Sequence, residues 1–513
     1  MDDDYDTLVK DAISKRFIVI NVILYSSTML FGGGPFMFND LCLGELSFEC
    51  EEPQDVFYHN NNTCKPYKIL NGSVHFLECK KYSFSTGKTF KTSAVSRFQI
   101  VCEGSYRKEL DLFAFLVGGF SSFFITSFFL DNFGRKRVVV VSLALLVMAE
   151  IVQLTIELYP IFFMTRLAEG LLTAGIYHAS FTLCNELVPP EVRNIVGVTI
   201  YGFFGLSILV ATMVSWFTRE WVTYVLVETV GNIIPLVLIL IFGSESPRWL
   251  YLHKMDKFNK FISNTNTSTI KRDEKQSANL NIHEKDIAEQ HKSQKKYSNF
   301  LDIFQHRLVL FHTTILIIIS ISCSLLYYGV LFGASLFQTN VHLYLAFIGS
   351  VETPMSLIYL VFSTLLSRKL VHFISFFIGG ISCVAAALLP KNDAWSILVY
   401  FAVICGKMTS SFAMINTYLW SSELFPTSHR AIGVGLVIGM GRLSICTIPG
   451  FRLLSAYLWS PLAALLIGCL GIAVSFLCCV LRETKNTPLL ETLHECGTKS
   501  SNEIVKNPST SDV

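Results

Sequence analysis

The sequence predicts an all-α membrane protein with twelve transmembrane helices in two pseudo-symmetric halves of six. Three observations lead there: the placement of charge, the spacing of apolar blocks and an internal repeat. The chain has 513 residues, 51% hydrophobic and 16% charged, against about 25% charged in ordinary globular chains. Of its 41 basic and 39 acidic residues, 54 fall in segments 1–16, 39–109, 243–306 and 482–513, which together hold 183 residues. The other 330 residues carry 26. Continuous blocks that poor in charge belong in hydrocarbon. They exclude a soluble enzyme, a nucleic-acid binder and a fibrous protein. The net charge of +2 points to no partner.

The elements follow in chain order. An acidic N-terminus, 1–16, precedes the first apolar block, so the first span is expected to act as its own insertion signal without a cleaved peptide. Apolar blocks near 20 residues match the helical length needed to cross a bilayer. The first half, 17–242, has six, at about 17–38, 110–130, 138–157, 161–185, 194–217 and 221–242. The second, 307–481, has six more, at about 307–333, 342–366, 370–389, 395–420, 431–455 and 458–481. Their uninterrupted apolar character excludes a barrel, whose strands alternate. Loops after spans 2, 4, 8 and 10 hold Arg135, Lys136, Arg137, Arg193, Arg368, Lys369 and Arg430, whereas those after spans 3, 5, 7, 9 and 11 hold Arg219 and Lys391. Positive residues stay in the cytoplasm, so both termini, the loop 243–306 and the tail 482–513 are expected there. Gly32, Gly33 and Gly34 before Pro35 should bend or closely pack the first span.

The loop 39–109 then lies outside. It holds Cys42, Cys50, Cys64, Cys79 and Cys102, which in an exported segment are disulfide candidates. Five cysteines allow at most two bridges and leave one thiol, with the pairing open. Asn61 and Asn71 begin acceptor sequons in the same loop, as expected of a glycoprotein.

The repeat appears when the halves are aligned. ELVPPEVR at 186–193 and ELFPTSHR at 423–430 share Glu, Leu, Pro and Arg at the same offsets, each at the cytoplasmic end of its half's fourth span. Glu245 and Glu483 follow the sixth spans at matching distances. Parallel six-span repeats are a transporter plan, with a central path whose exposure alternates as the halves rock.

Four motifs carry a family resemblance: DNFGRKR at 131–137, SESPRWL at 244–250, SELFPTSHRAIGVG at 422–435 and RETKNTPLLETL at 482–493. With the large first loop, they make the chain similar to the organic cation, anion and zwitterion transporters of solute carrier family 22, in the major facilitator superfamily. The resemblance covers nearly the whole chain. It departs at Phe425, Arg482 and Leu490, in having five loop cysteines where six are usual, and in Ser367-Arg368-Lys369, a degraded copy of the 131–137 loop. It implies a plasma-membrane carrier of small organic ions working by alternating access, with no cofactor and no resident metal, and it allows a coupling ion beside the substrate. It also implies ion-pair latches that hold the outward-facing state and break as the cytoplasmic side opens. Asp131, Gly134, Arg135 and Arg137, the pairs Glu186/Arg193 and Glu423/Arg430, and Glu245, Arg248 and Glu483 are the expected members. The competing reading, basic residues placed for topology alone, leaves the glutamates at fixed offsets unexplained.

Ionisable residues inside spans are expensive and suspect. Glu352 precedes Pro354 in span 8, Lys407 lies mid-way in span 10, and Arg442 sits twelve residues past Arg430, about 18 Å along a helix. By resemblance, a base at the position of Arg442 marks anion and zwitterion carriers, and an acid at Glu352 marks cation and zwitterion carriers. Together they suit a zwitterion such as a carnitine-like solute, unless Glu352 and a cation merely neutralise each other. Tyr177, Phe181 and Asn185 share one helical face. With Tyr328 of the Tyr327-Tyr328-Gly329 run they are candidate substrate contacts, or else core packing. No phosphate loop, His-Glu-x-x-His motif or metal-spaced Cys/His set occurs. The expected function is secondary or facilitative transport of a small organic ion, with zwitterions or anions favoured and cations allowed. A sugar-porter-like carrier and a transport-silent receptor or scaffold are the alternatives.

Overall fold

The computed structural model describes residues 14–44, 46–52, 57–58, 64, 66–70, 73–76, 79–87, 90–188, 192–254, 257, 307–333, 340–390, 395–425 and 430–485. Asn61 and Asn71 lie outside these residues, as does most of the loop 243–306.

Span 1 is two helices, α1 (Lys15–Gly32) and α2 (Gly34–Cys42). The break at Gly33 has a packing cause. A Cβ there would collide with the Ser207 hydroxyl, and one on Gly34 would collide with the Glu228 carboxyl. Pro35 then opens α2, where its missing N–H costs nothing. Spans 2 to 6 are α4 (Arg107–Phe133), α5 (Arg135–Thr155), α6 (Tyr159–Leu187), α7 (Arg193–Thr218) and α8 (Trp221–Phe242), followed by the short α9 (Pro247–His253). Spans 7 to 10 are α10 (Arg307–Leu331), α11 (Val341–Leu365), α12 (Arg368–Leu388) and α13 (Ser396–Leu424). Span 11, expected as one helix, is α14 (Arg430–Ile445) and α15 (Ile448–Tyr457), divided just before Pro449. Span 12 is α16 (Leu462–Cys478). Among the described residues, eleven helical stretches are long and apolar enough to cross a membrane. The twelfth span, α6, has 29 residues and carries Arg166, Glu169 and Glu186.

The loop after span 1 holds α3 (Ala94–Phe98) and two antiparallel sheets. One pairs β1 (Phe48–Glu52) with β5 (Lys81–Phe84), and the other orders β2 (Phe57–Tyr58), β3 (Pro66–Leu70) and β4 (Ser73–Phe76). Cys50 bridges to Cys79 and Cys64 to Cys102, leaving Cys42 free and buried.

The two halves meet along long seams. α7 packs against α11, where the Thr353 hydroxyl donates to the Gly202 carbonyl at 3.0 Å. Outward-facing Phe128, Phe217, Ile241, Ile397 and Phe401 are exposed, a surface suited to lipid.

Candidate functional site

A cavity of about 560 Å³ lies between the halves. Tyr177, Phe181 and Asn185 of α6 line one wall, and Tyr327, Tyr328, Tyr418 and Arg442 line the other. Four-residue spacing brings the α6 trio to one face, with the Tyr177 and Phe181 rings stacked at 6.2 Å. The cavity reaches Asn185 and Ser422, each one residue before a repeat glutamate. Phe181 is exposed on this wall.

Among the described residues, Arg442 is the Lys or Arg that lines the cavity. Its guanidinium donates to the Tyr328 hydroxyl and, at 3.3 Å, to the Tyr418 hydroxyl. It also sits 5.8 Å from the Phe123 ring centre and 5.5 Å from that of Tyr328. Its Nε is buried without a hydrogen-bond acceptor. The other in-span cations are matched. Arg166 pairs with Glu169 and donates to the Pro35 carbonyl and Asn39 Oδ1, both at 3.1 Å. Arg452 meets Asp40 at 3.4 Å and Glu109 at 3.1 Å. Among the described residues no carboxylate pairs with Arg442, and the cavity wall holds no Asp or Glu.

Two expected substrate contacts are not on that wall. Glu352 and Lys407 are fully buried and meet each other at 2.9 Å. The Tyr327 hydroxyl donates to Glu352 at 2.8 Å, and Ser411 adds contacts at 3.1 and 3.2 Å. The Lys407 ammonium sits 3.3 Å from the Tyr327 ring centre. Neutralisation is therefore the geometry observed, with Lys407 rather than Arg442 as partner. The helical pattern could show that both lie in spans, but not that their faces converge.

The repeat glutamates build two matching clamps. In the first, Glu245 accepts the Arg135 and Lys136 amides at 2.8 and 2.9 Å, a carboxylate at the N-terminus of α5. Arg135 reaches Glu186 at 3.0 Å, and Lys136 donates to the Gly243 carbonyl. Ser246 donates to Glu186 as well. In the second, Glu483 accepts the Arg368 and Lys369 amides at 3.0 and 3.1 Å. Arg368 reaches Glu423 at 3.0 Å, Thr484 donates to Glu423, and Lys369 donates to the Cys479 carbonyl. Burial would raise the Glu483 carboxyl, but the amides of Lys369, Lys485 and Arg368 hold it below the usual carboxylate range.

Of the expected latch members, Arg135, Glu186, Glu245, Glu423 and Glu483 come together in these clamps, with Arg368 as a further member. Glu186 and Glu423 are bound by Arg135 and Arg368, which stand across from them on the third span of each half. The side chains of Asp131, Arg193 and Arg430 lie outside the described residues, Arg137 is exposed, and Arg248 sits on α9. Each described clamp contact stays within one half and is intact although the cavity reaches this end. The supposedly degraded loop keeps its counterpart's contacts, because two of them use backbone amides that any sequence supplies. Tyr418 and Tyr201, both on the cavity wall, were not singled out by sequence. Among 61 Phe and Tyr residues no spacing marks them.

A family model for sugar (and other) transporters matches residues 80–494. The chain belongs to that family. It is a multi-pass membrane transporter rather than an enzyme. Curated relatives include an organic cation transporter-like protein of Drosophila melanogaster, 24% identical over 86% of this chain and 80% of its own length. Solute carrier family 22 member 3 of Mus musculus is 25% identical over 82% and 76%. Solute carrier family 22 member 13 of Homo sapiens is 26% identical over 79% and 71%. Among solved structures, the xylose transporter XylE from E. coli in its inward-open conformation superposes with a TM-score of 0.62, covering 94% of this chain and 99% of its own at 14% identity. That likeness carries the major facilitator fold alone.

Proposed function

We propose that the chain carries small organic anions, above all monocarboxylates with a flat apolar body, across the plasma membrane by alternating access. Arg442 carries the proposal: a half-buried guanidinium faces the cavity with phenols as partners and, among the described residues, no carboxylate paired with it. A partly desolvated cation of this kind favours a charge-assisted bond to an incoming carboxylate. Tyr177, Phe181 and Tyr328 are placed to sheathe an aromatic body. Glu352 is engaged by Lys407, which favours an anion over the zwitterion that the sequence suggested. Sugars are disfavoured because Asn185 is the sole side-chain amide among the described lining residues. With the loop 39–109 outside and the termini in the cytoplasm, the cavity faces inward. The halves 17–242 and 307–481 rock about it, with each clamp keeping its own half rigid.

Uptake of a labelled aryl monocarboxylate, carnitine, tetraethylammonium and xylose into cells expressing the protein tests this. The monocarboxylate is expected to enter, and Arg442→Ala to abolish its entry while surface expression is preserved. Undiminished carboxylate uptake by that variant would refute the assignment.

A further inference from the structure

We propose that Lys407, a residue off the cavity wall, sets the charge selectivity of the cavity by withdrawing Glu352 from it. This rests on the anion reading above and adds to it the residue that makes the cavity monopolar.

The geometry has three parts. Glu352 and Lys407 form a fully buried ion pair at 2.9 Å. Tyr327 links that pair to the cavity: its hydroxyl holds Glu352 at 2.8 Å, its ring carries the Lys407 ammonium at 3.3 Å, and the same residue lines the wall. Beyond it the Tyr327 and Tyr328 rings lie 4.9 Å apart, and Tyr328 accepts from Arg442. A single tyrosine pair therefore separates a neutralised carboxylate from the cation that faces substrate.

Removing one partner of a buried ion pair leaves the other uncompensated, whereas removing both does not. Without the Lys407 charge, Glu352 keeps Tyr327 and Ser411 as donors and presents a bare negative charge behind the cavity wall. In low-dielectric surroundings that charge offsets part of the Arg442 potential. A cavity with one positive and one negative pole accepts a zwitterion or a cation and disfavours an anion. Lys407 is thus a specificity-determining residue that acts through Glu352 and Tyr327, not a substrate contact.

The test compares wild type, Lys407→Gln, Glu352→Gln and the double variant. Surface amount is measured beside uptake, and each is challenged with benzoate, carnitine and tetraethylammonium. Lys407→Gln is expected to shift the benzoate-to-carnitine ratio about tenfold or more toward carnitine, and the double variant to return it to the wild-type side. A merely structural pair would lower all three solutes together without moving the ratio. Should Lys407→Gln fail to reach the surface, Glu352→Gln supplies the converse: an uncompensated lysine that strengthens benzoate uptake relative to carnitine. A benzoate-transporting wild type with an unmoved ratio in these variants overturns the role of Lys407 alone. A wild type that reaches the surface and carries no benzoate overturns the anion reading beneath it.

Discussion

Arg442 and Gly134 show how much can rest on one position. Arg442 was legible as an in-span cation because charge in hydrocarbon is costly. Its partners were not, since phenols on α10 and α13 reach it only through tertiary packing. Gly134 was legible as a motif glycine, and its reason is geometric. Its φ of +98° is a conformation that favours glycine, and a Cβ there would stand 2.6 Å from Glu245 Oε2. Ser367, its counterpart in the second half, has φ −73° and caps Leu370 at 3.3 Å with its hydroxyl. Gly134→Ala should therefore destabilise by about 1–3 kcal/mol, whereas Ser367→Gly should cost only a few tenths of a kcal/mol. Thermal melts of the two purified variants check this, and equal losses would remove the asymmetry.

At the level of elements, the two clamps each join the start of a half's third span to the end of its fourth and the chain after its sixth. Arg368 and Glu423 are mostly buried, with side chains 12% and 18% exposed. Breaking a charged hydrogen-bonded pair of this sort leaves a carboxylate without its cation. Arg368→Ala should destabilise by about 1–3 kcal/mol, and Arg135→Ala by a similar amount, because Arg135 meets Glu186 in the same geometry at 11% and 15% exposure. A double cycle with Glu423→Gln measures the coupling; additive effects would mean that the pair contributes nothing. The spans themselves were legible from apolar run length, and their ends moved by a few residues. The bend of the first span was legible in its glycine run, but the neighbour that requires it, Ser207, stands 174 positions later, and the five small strands of the first loop pair with partners that no periodicity names.

Across the whole molecule the halves do different work at the two ends. At the clamp end each half is tied to itself. At the end carrying the first loop, Arg452 of α15 ties the second half to Asp40 of α2 and Glu109 of α4. Clamp contacts that persist through rocking cancel from the balance between conformations, while the Arg452 contacts bias it toward the state in which the cavity reaches the clamp end. Arg452→Gln should therefore open the path from the loop side. A cysteine placed at Phe36, on the cavity wall, is expected to resist an impermeant thiol reagent added from that side when Arg452 is present, and to react several-fold faster in the Arg452→Gln background. Equal labelling in both would remove Arg452 as the lock.

The duplicated clamp also bears on how lost activity is judged in relatives of this chain. One copy must keep its glycine; the other is held by amide hydrogens, which have no spelling. Over descent the second loop can shed its recognisable letters and keep its mechanical part, as Ser367-Arg368-Lys369 does. A missing motif in that loop is therefore no mark of a dead transporter. The surviving signature is a carboxylate after the sixth span that receives two successive amides from the start of the third.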